Sequence, residues 1–90
     1  MNLGGWDFED VKAATSLPEK VASAASVLAG LIGSNIEPIA YVGKQVVNGT
    51  LYAIICKQTI ISAQPIQHIV LAKVLENNGS FTIASIEQLM

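Results

Sequence analysis

The residue types that most often carry chemistry in proteins are sparse in this 90-residue chain. Its single histidine, His68, and its single cysteine, Cys56, both lie in apolar segments. A catalytic triad needs a nucleophile and an orienting acid at a recognisable spacing from the histidine, and the sequence offers no such arrangement. We therefore predict that His68 is an edge or partly buried strand residue and that Cys56 is a buried apolar thiol.

The carboxylates and glycines give no stronger indication of a catalytic site. Asp7, Glu9 and Asp10 form an acidic group near the N terminus, but metal sites normally recruit ligands from several elements. The glycines of LAGLIG have no following lysine and no preceding strand, so they form neither a phosphate loop nor a dinucleotide-binding motif. One cysteine excludes an internal disulfide and a cysteine-rich metal site. We predict a protein that is not an enzyme, with no metal and no cofactor.

The charge and hydropathy of the chain limit the classes of partner that it is expected to bind. The five Lys and Arg residues are scattered and the formal net charge is -2, so we expect no nucleic-acid partner and no anionic membrane surface. The longest weakly polar run, residues 21–32, is too short to cross a bilayer. The N-terminal residues lack the basic lead and apolar stretch of a signal peptide, which, with the lone cysteine, favours a cytoplasmic location. Ninety residues fit a single domain, residues 1–90, with one core.

One helix is predicted over residues 16–33. Ser16 can cap it, Pro18 fits its first turn, and Glu19 completes a capping box with Ser16. Gly33 supplies a left-handed stop. Apolar residues recur at helical spacing and predict one buried face, made of Val21, Ala24, Ala25, Leu28 and either Leu31 or Ile32.

Residues 36–90 change to a β pattern. Four segments are rich in β-branched residues, namely IEPIAYVGKQVV, TLYAIICKQTII, HIVLAKVL and SFTIASI. Asn48-Gly49 joins the first two and favours a type I′ turn, in which both residues have positive φ. The third and fourth are joined by ENNG, whereas the looser SAQPIQ joins the middle pair. The predicted fold is α+β, with one helix packed across a curved four- to five-stranded antiparallel sheet and residues 1–15 as an N-terminal arm.

Two adjacent valines precede Asn48-Gly49. A pleated strand sends neighbouring side chains to opposite faces, so only one of Val46 and Val47 can point at a core. The other is either held outward for a partner or is an ordinary exposed apolar residue.

The segment QVVNGTLY, taken with the upstream LGG and the intervening helix, resembles the cystatin and stefin family of cysteine-peptidase inhibitors. That family carries a QVVAG hairpin and an N-terminal glycine preceded by apolar residues. The order of arm, helix and four-strand meander is also similar, so the resemblance covers nearly the whole chain and implies a cystatin-like fold. Asn48 departs from the usual alanine. The matching residues are Leu3, Gly4 or Gly5, Gln45, Val46, Val47, Gly49, Thr50 and Tyr52.

The resemblance implies a reversible, non-covalent inhibitor that plugs the cleft of papain-like cysteine peptidases with the arm and two hairpin loops. The second loop is polar here, where family members commonly have Pro-Trp or Leu-Pro, so we expect a weaker or narrower inhibitor. The implied partner-binding residues are Leu3, Gly4, Gly5 and Trp6 in the arm, Gln45, Val46, Val47, Asn48 and Gly49 in the first hairpin, and Glu76, Asn77, Asn78 and Gly79 in the second.

Two alternatives stay open at this point. The first is a cystatin-fold scaffold or protein-interaction module without inhibitory activity, because strands can pair at their edges and form a dimer. Exchange of the first hairpin would give a domain-swapped dimer, so the chain is expected to be a monomer or such a dimer. The second alternative is an enzyme or small-ligand carrier with a cavity between helix and sheet.

Overall fold

The computed structural model describes residues 5–8 and 11–90. One short helix packs against an open antiparallel sheet, so the predicted α+β class is confirmed. The sheet has six strands instead of the predicted four to five, because two short segments of the arm both pair with the same edge. The helix is α1 (Glu19–Leu28), and a 3-10 turn (Ala14–Ser16) precedes it. The strands are β1 (Trp6–Asp7), β2 (Lys12–Ala13), β3 (Ser34–Val47), β4 (Gly49–Ile60), β5 (Ile66–Asn77) and β6 (Ser80–Gln88). Within the described ranges, no helix has the length and apolar character needed to cross a bilayer.

The four long strands form the predicted meander. The sheet order is β1-β3-β4-β5-β6, and β2 also pairs with β3, on the same edge as β1. Irregularities in the β3–β4 pairing lie between Pro38 and Ala40 and between Tyr41 and Gly43. A third lies between Lys73 and Val74 in the pairing of β5 with β6. Bulges of this kind bend a sheet and increase its twist.

The core lies between α1 and one face of the sheet, which we call the inner face. From α1, Val21, Ala24 and Leu28 are buried, as predicted. They pack in one cluster with alternate residues of β4 and β5, namely Tyr52, Ile54, Cys56, Val70, Ala72 and Val74. Because side chains alternate along a strand, the residues between them lie on the opposite side, the outer face.

The helix begins later than predicted, and the capping box is wrong. Ser16 lies in the 3-10 turn, Pro18 occupies the N-cap position, and no side chain caps the helix. Proline disfavours helical geometry in the residue before it. Leu17 is accordingly extended, with φ -65° and ψ 133°, which separates Ser16 from the first helical turn.

The helix also ends earlier than predicted, at Leu28 rather than near Gly33. Gly33 does have a positive φ of 85°, but it lies in the turn that leads into β3. Between Leu31 and Ile32, the packing selects Leu31, which lies against the core, while Ile32 is 100% exposed.

The two interpretations of isolated reactive residues are confirmed. His68 is a half-buried strand residue of β5. Cys56 is 0% exposed, and its Sγ lies 3.7 Å from the Ile54 carbonyl oxygen. Burial raises the pKa of the Cys56 thiol to about 11, so the reactive thiolate is disfavoured at neutral pH.

Candidate functional site

The segments predicted to bind a partner lie at one end of the sheet wherever the structure describes them. Pairing across the sheet aligns Trp6 with Gln45, Gln45 with Leu51, Leu51 with Leu75, and Leu75 with Thr82. Beyond this row lie Gly5, the tip of the β3–β4 hairpin and the tip of the β5–β6 hairpin. We call residues 5–6, 46–49 and 77–79 together the loop end. Leu3 and Gly4 lie outside the described residues.

In the first hairpin, the side chains of the two adjacent valines lie on opposite faces of the sheet. Val46 pairs with Thr50 and is half-buried, while Val47 pairs with Gly49 and is 42% exposed. Alternation along β3 places Val47 on the outer face. One valine of the pair therefore packs within the molecule, and Val47 is the one available to a partner.

The predicted type I′ turn at Asn48-Gly49 is wrong. Among residues 5–8 and 11–90, Asn78 is the only non-glycine with a positive φ, so Asn48 does not adopt the I′ conformation. Val47 pairs with Gly49, which leaves Asn48 alone at the tip. The type I′ signature occurs instead in the second hairpin, where Asn78 and Gly79 have φ values of 52° and 81°.

Packing between the two hairpins explains this conformation of the first tip. Gly49 has a φ of 116°, and a Cβ atom added to it would lie 2.4 Å from the Glu76 carbonyl oxygen. Only glycine permits so close an approach of backbone to backbone. The Asn77 side-chain amide also donates a hydrogen bond to the Asn48 carbonyl oxygen at 3.3 Å. The two tips are thus held side by side.

Glu76, implied as a partner-binding residue, is engaged inside the molecule. Its carboxylate accepts a hydrogen bond from the Tyr52 hydroxyl at 3.3 Å and forms an ion pair with Lys20 Nζ at 3.2 Å. Burial, followed by the charge of Glu76 and its hydrogen bond, raises the pKa of Tyr52. The Glu76 side chain therefore ties the second hairpin to α1 and β4.

The arm is held against the outer face by aromatic residues. The ammonium group of Lys73 lies 5.4 Å from the centroid of a Trp6 ring, which is the geometry of a cation–π contact. A Cβ atom on Gly43 would lie 2.7 Å from Phe8 Cδ1, so this glycine lets the Phe8 ring lie against β3. Together with Val42, Ala53 and Leu71, these aromatic and lysine side chains line a groove of about 200 Å³. Sequence reasoning missed Lys73 and Gly43, because neither lies in a recognised motif.

Replacement of Lys73 by methionine should loosen the arm. Methionine keeps an apolar stem but removes the charge that faces Trp6, a contact worth about 0.5 to 1 kcal/mol at an exposed site. Because Trp6 is the only tryptophan, its fluorescence reports this contact. We expect red-shifted emission and stronger quenching by acrylamide in the Lys73→Met variant. Lys57→Met, on another part of the outer face, is the control, and equal quenching of the two variants would contradict the anchoring.

The loop end, residues 5–6, 46–49 and 77–79, contains no His, Cys, Asp or Glu residue. Across residues 5–8 and 11–90, no group of three or more His, Cys, Asp or Glu residues is placed to hold a metal ion. Of the predicted acidic group of the arm, Glu9 and Asp10 lie outside the described residues. What the loop end presents is exposed backbone, an apolar projection at Val47, and side-chain amides at Asn77 and Asn78. Such a surface can bind by shape and hydrogen bonding.

Comparison with other proteins finds no family model, no curated protein and no solved structure that matches this chain. The resemblance to the cystatin and stefin family therefore consists of the arm and hairpin motifs in the sequence and the order of arm, helix and strands.

Proposed function

We propose that the protein is a reversible, non-covalent inhibitor of papain-like cysteine peptidases with a cystatin-like fold. The observation that supports this most is the alignment of Gly5–Trp6, the Val47-to-Gly49 tip and the Asn77-to-Gly79 tip at one end of the sheet. The resemblance implies an inhibitor that plugs a cleft with three adjacent segments of this kind. Had they lain at opposite ends of the molecule, the proposal would have failed.

Inhibition by such a surface requires no reacting group. Val47 enters the apolar part of the cleft, Gly5 lets the backbone approach the enzyme closely, and backbone amides and carbonyls meet its polar rim. The held position of the two tips reduces the conformational entropy lost on binding. The peptidase is inhibited because its substrate cannot enter the occupied cleft.

The polar second tip limits the affinity. Val47 is 42% exposed, so burying the rest of it contributes less than the about 1.5 to 3 kcal/mol of a fully exposed side chain, whereas association costs an estimated 4 to 15 kcal/mol in lost freedom. Asn77 and Asn78 add hydrogen-bonding groups but little apolar area. Trp6, Leu3 and the backbone contacts must supply the remainder, so we expect weaker inhibition than the family typically shows.

Titration of papain with the wild-type protein and two charged variants tests the proposal. Val47→Asp should raise the inhibition constant at least about tenfold, because a carboxylate would replace a buried valine in an apolar cleft. Ile61→Asp is the matched control, since Ile61 is 67% exposed at the opposite end of the sheet, and it should inhibit like the wild type. Absence of inhibition at high micromolar concentration would overturn the proposal, as would equal inhibition by both variants.

A second candidate function is an interaction module without inhibitory activity. It is favoured by the apolar surface at the end opposite the loop end, where Ile32, Ile61 and Ile66 are 100%, 67% and 53% exposed. The backbone amide of Ile61 donates to the Gly33 carbonyl oxygen at 2.9 Å, which brings the two loops of this end together. Full activity of papain at the highest inhibitor concentration would favour this candidate over the first.

A further inference from the structure

Strand β6 leaves one side of the sheet open. The edge strand at the other side, β3, is covered in part by β1 and β2. No described segment pairs with the outer side of β6. An uncovered edge presents backbone N–H and C=O groups to any strand that can pair with it.

The register of the β5–β6 hairpin identifies which backbone N–H and C=O groups of β6 point away from the sheet. Asn77 and Ser80 flank the two-residue turn at Asn78-Gly79, so they exchange hydrogen bonds with each other. In an antiparallel pair, hydrogen-bonded and non-hydrogen-bonded residues alternate. The backbone groups of Ser80 and Thr82 therefore point toward β5, and those of Phe81 and Ile83 point away from the sheet.

This edge lacks the charged and proline residues that usually block strand pairing. Glu87 is the only charged residue of β6, and the strand contains no proline. The register irregularity opposite Lys73 and Val74 leaves Ala84 without a partner in β5 and ends the regular stretch. The segment open for pairing is therefore residues 80–83.

We propose that this segment pairs with the same segment of a second copy, antiparallel, about a two-fold axis at Thr82. In this register Phe81 lies opposite the partner's Ile83, and the two residues exchange both of their free backbone hydrogen bonds. Thr82 faces the partner's Thr82 in a non-hydrogen-bonded pair, in which side chains come closest. An aromatic residue opposite a β-branched residue forms a favourable cross-strand pair, and so do two threonines opposite each other.

A second copy suits this edge because the segment is complementary to itself. No like charges face each other within residues 80–83. Phe81 and Ile83 are half-buried against the core cluster. Pairing therefore places these apolar side chains of the two copies next to each other on the same face of the joined sheet. Because two-fold pairing occupies the β6 edge of both copies, the assembly closes at two copies. The inference does not depend on peptidase inhibition.

Sedimentation equilibrium tests the dimer directly. We expect monomer at low concentration and a growing dimer fraction between about 10 µM and 1 mM, as is typical of a small interface. Thr82→Lys places two positive charges against each other across the axis and should abolish dimerisation. Gln67→Lys adds the same charge to an exposed position of the interior strand β5 and should leave it unchanged.

A cysteine variant tests the register without disturbing it. Cβ atoms across a non-hydrogen-bonded pair lie within the range that a disulfide spans. Thr82→Cys should therefore form a covalent dimer on mild oxidation, faster than Gln67→Cys, while Cys56 is buried and does not compete. The proposal is overturned by a strictly monomeric protein at 1 mM, about the upper limit for a weak specific pair. It is also overturned by equal cross-linking of both cysteine variants, or by a dimer that survives Thr82→Lys, as exchange of the first hairpin would give.

Discussion

Gly49→Ala should lower the free energy of unfolding by about 3 kcal/mol or more, one of the largest losses expected from a single methyl group in this chain. Two costs add at this position. Gly49 has a φ of 116°, which L side chains rarely adopt, and its added Cβ atom would lie 2.4 Å from the Glu76 carbonyl oxygen. Because that oxygen belongs to the backbone of β5, no side-chain rotation can relieve the contact.

Gly79→Ala is the matched control for this prediction. Gly79 also has a positive φ, of 81°, but no described atom lies within 4 Å of its added Cβ. Only backbone strain of about 1 to 2 kcal/mol is then expected. Urea unfolding of both variants gives the comparison. Equal losses would mean that the approach of the two hairpins does not determine the need for glycine at position 49.

The second large effect is a loss of stability at alkaline pH that depends on Cys56. An unperturbed cysteine thiol has a pKa of 9.0, and burial raises the pKa of Cys56 to about 11 in the folded protein. A raised pKa means that the unfolded chain loses its proton first. The stabilisation is therefore complete below pH 9.0 and is lost as the pH rises toward 11. Two pKa units correspond to about 2 to 3 kcal/mol.

Urea unfolding of the wild type and of Cys56→Ala, in the presence of a reductant, measures this loss between about pH 8 and pH 11. At about pH 8 the variant is less stable, since it leaves a small cavity, so the slopes and not the absolute values are compared. The pKa of Tyr52 is also raised, by burial and by Glu76, so its titration lowers stability at alkaline pH as well. The free energy of unfolding of the variant therefore keeps part of its dependence on pH. Identical slopes for the two proteins would show that Cys56 does not titrate in this range.

The fold could be predicted from sequence to the extent that local patterns determine it. The four-strand meander follows from β-branched segments separated by turn residues, and the buried face of the helix follows from the spacing of Val21, Ala24 and Leu28. The helix boundaries were wrong because the sequence at its start satisfies two rules that conflict. Ser16 and Glu19 have the spacing of a capping box, but Pro18 forces Leu17 out of helical geometry.

The candidate site was predictable as a set of segments but not as a set of contacts. The hairpin motif locates Val46, Val47 and Gly49, and alternation predicts that one valine is exposed. Sequence alone could not show that Glu76 is held by Lys20 and Tyr52, because these residues come together only in the folded sheet. The same holds for the turn at Asn48, whose conformation depends on a neighbouring hairpin that lies almost thirty positions away.

The connectivity of the sheet also has a consequence for the order of folding. The strands of the meander are neighbours in sequence, so each hairpin closes a short loop at small entropic cost. The arm is different, since Trp6 must find Gln45, a separation of 45 − 6 = 39 positions, and β1 offers only two paired residues in return. We expect the arm to dock last and to open first in native-state hydrogen exchange. The surface at that end of the molecule is thus completed only in the final step of folding.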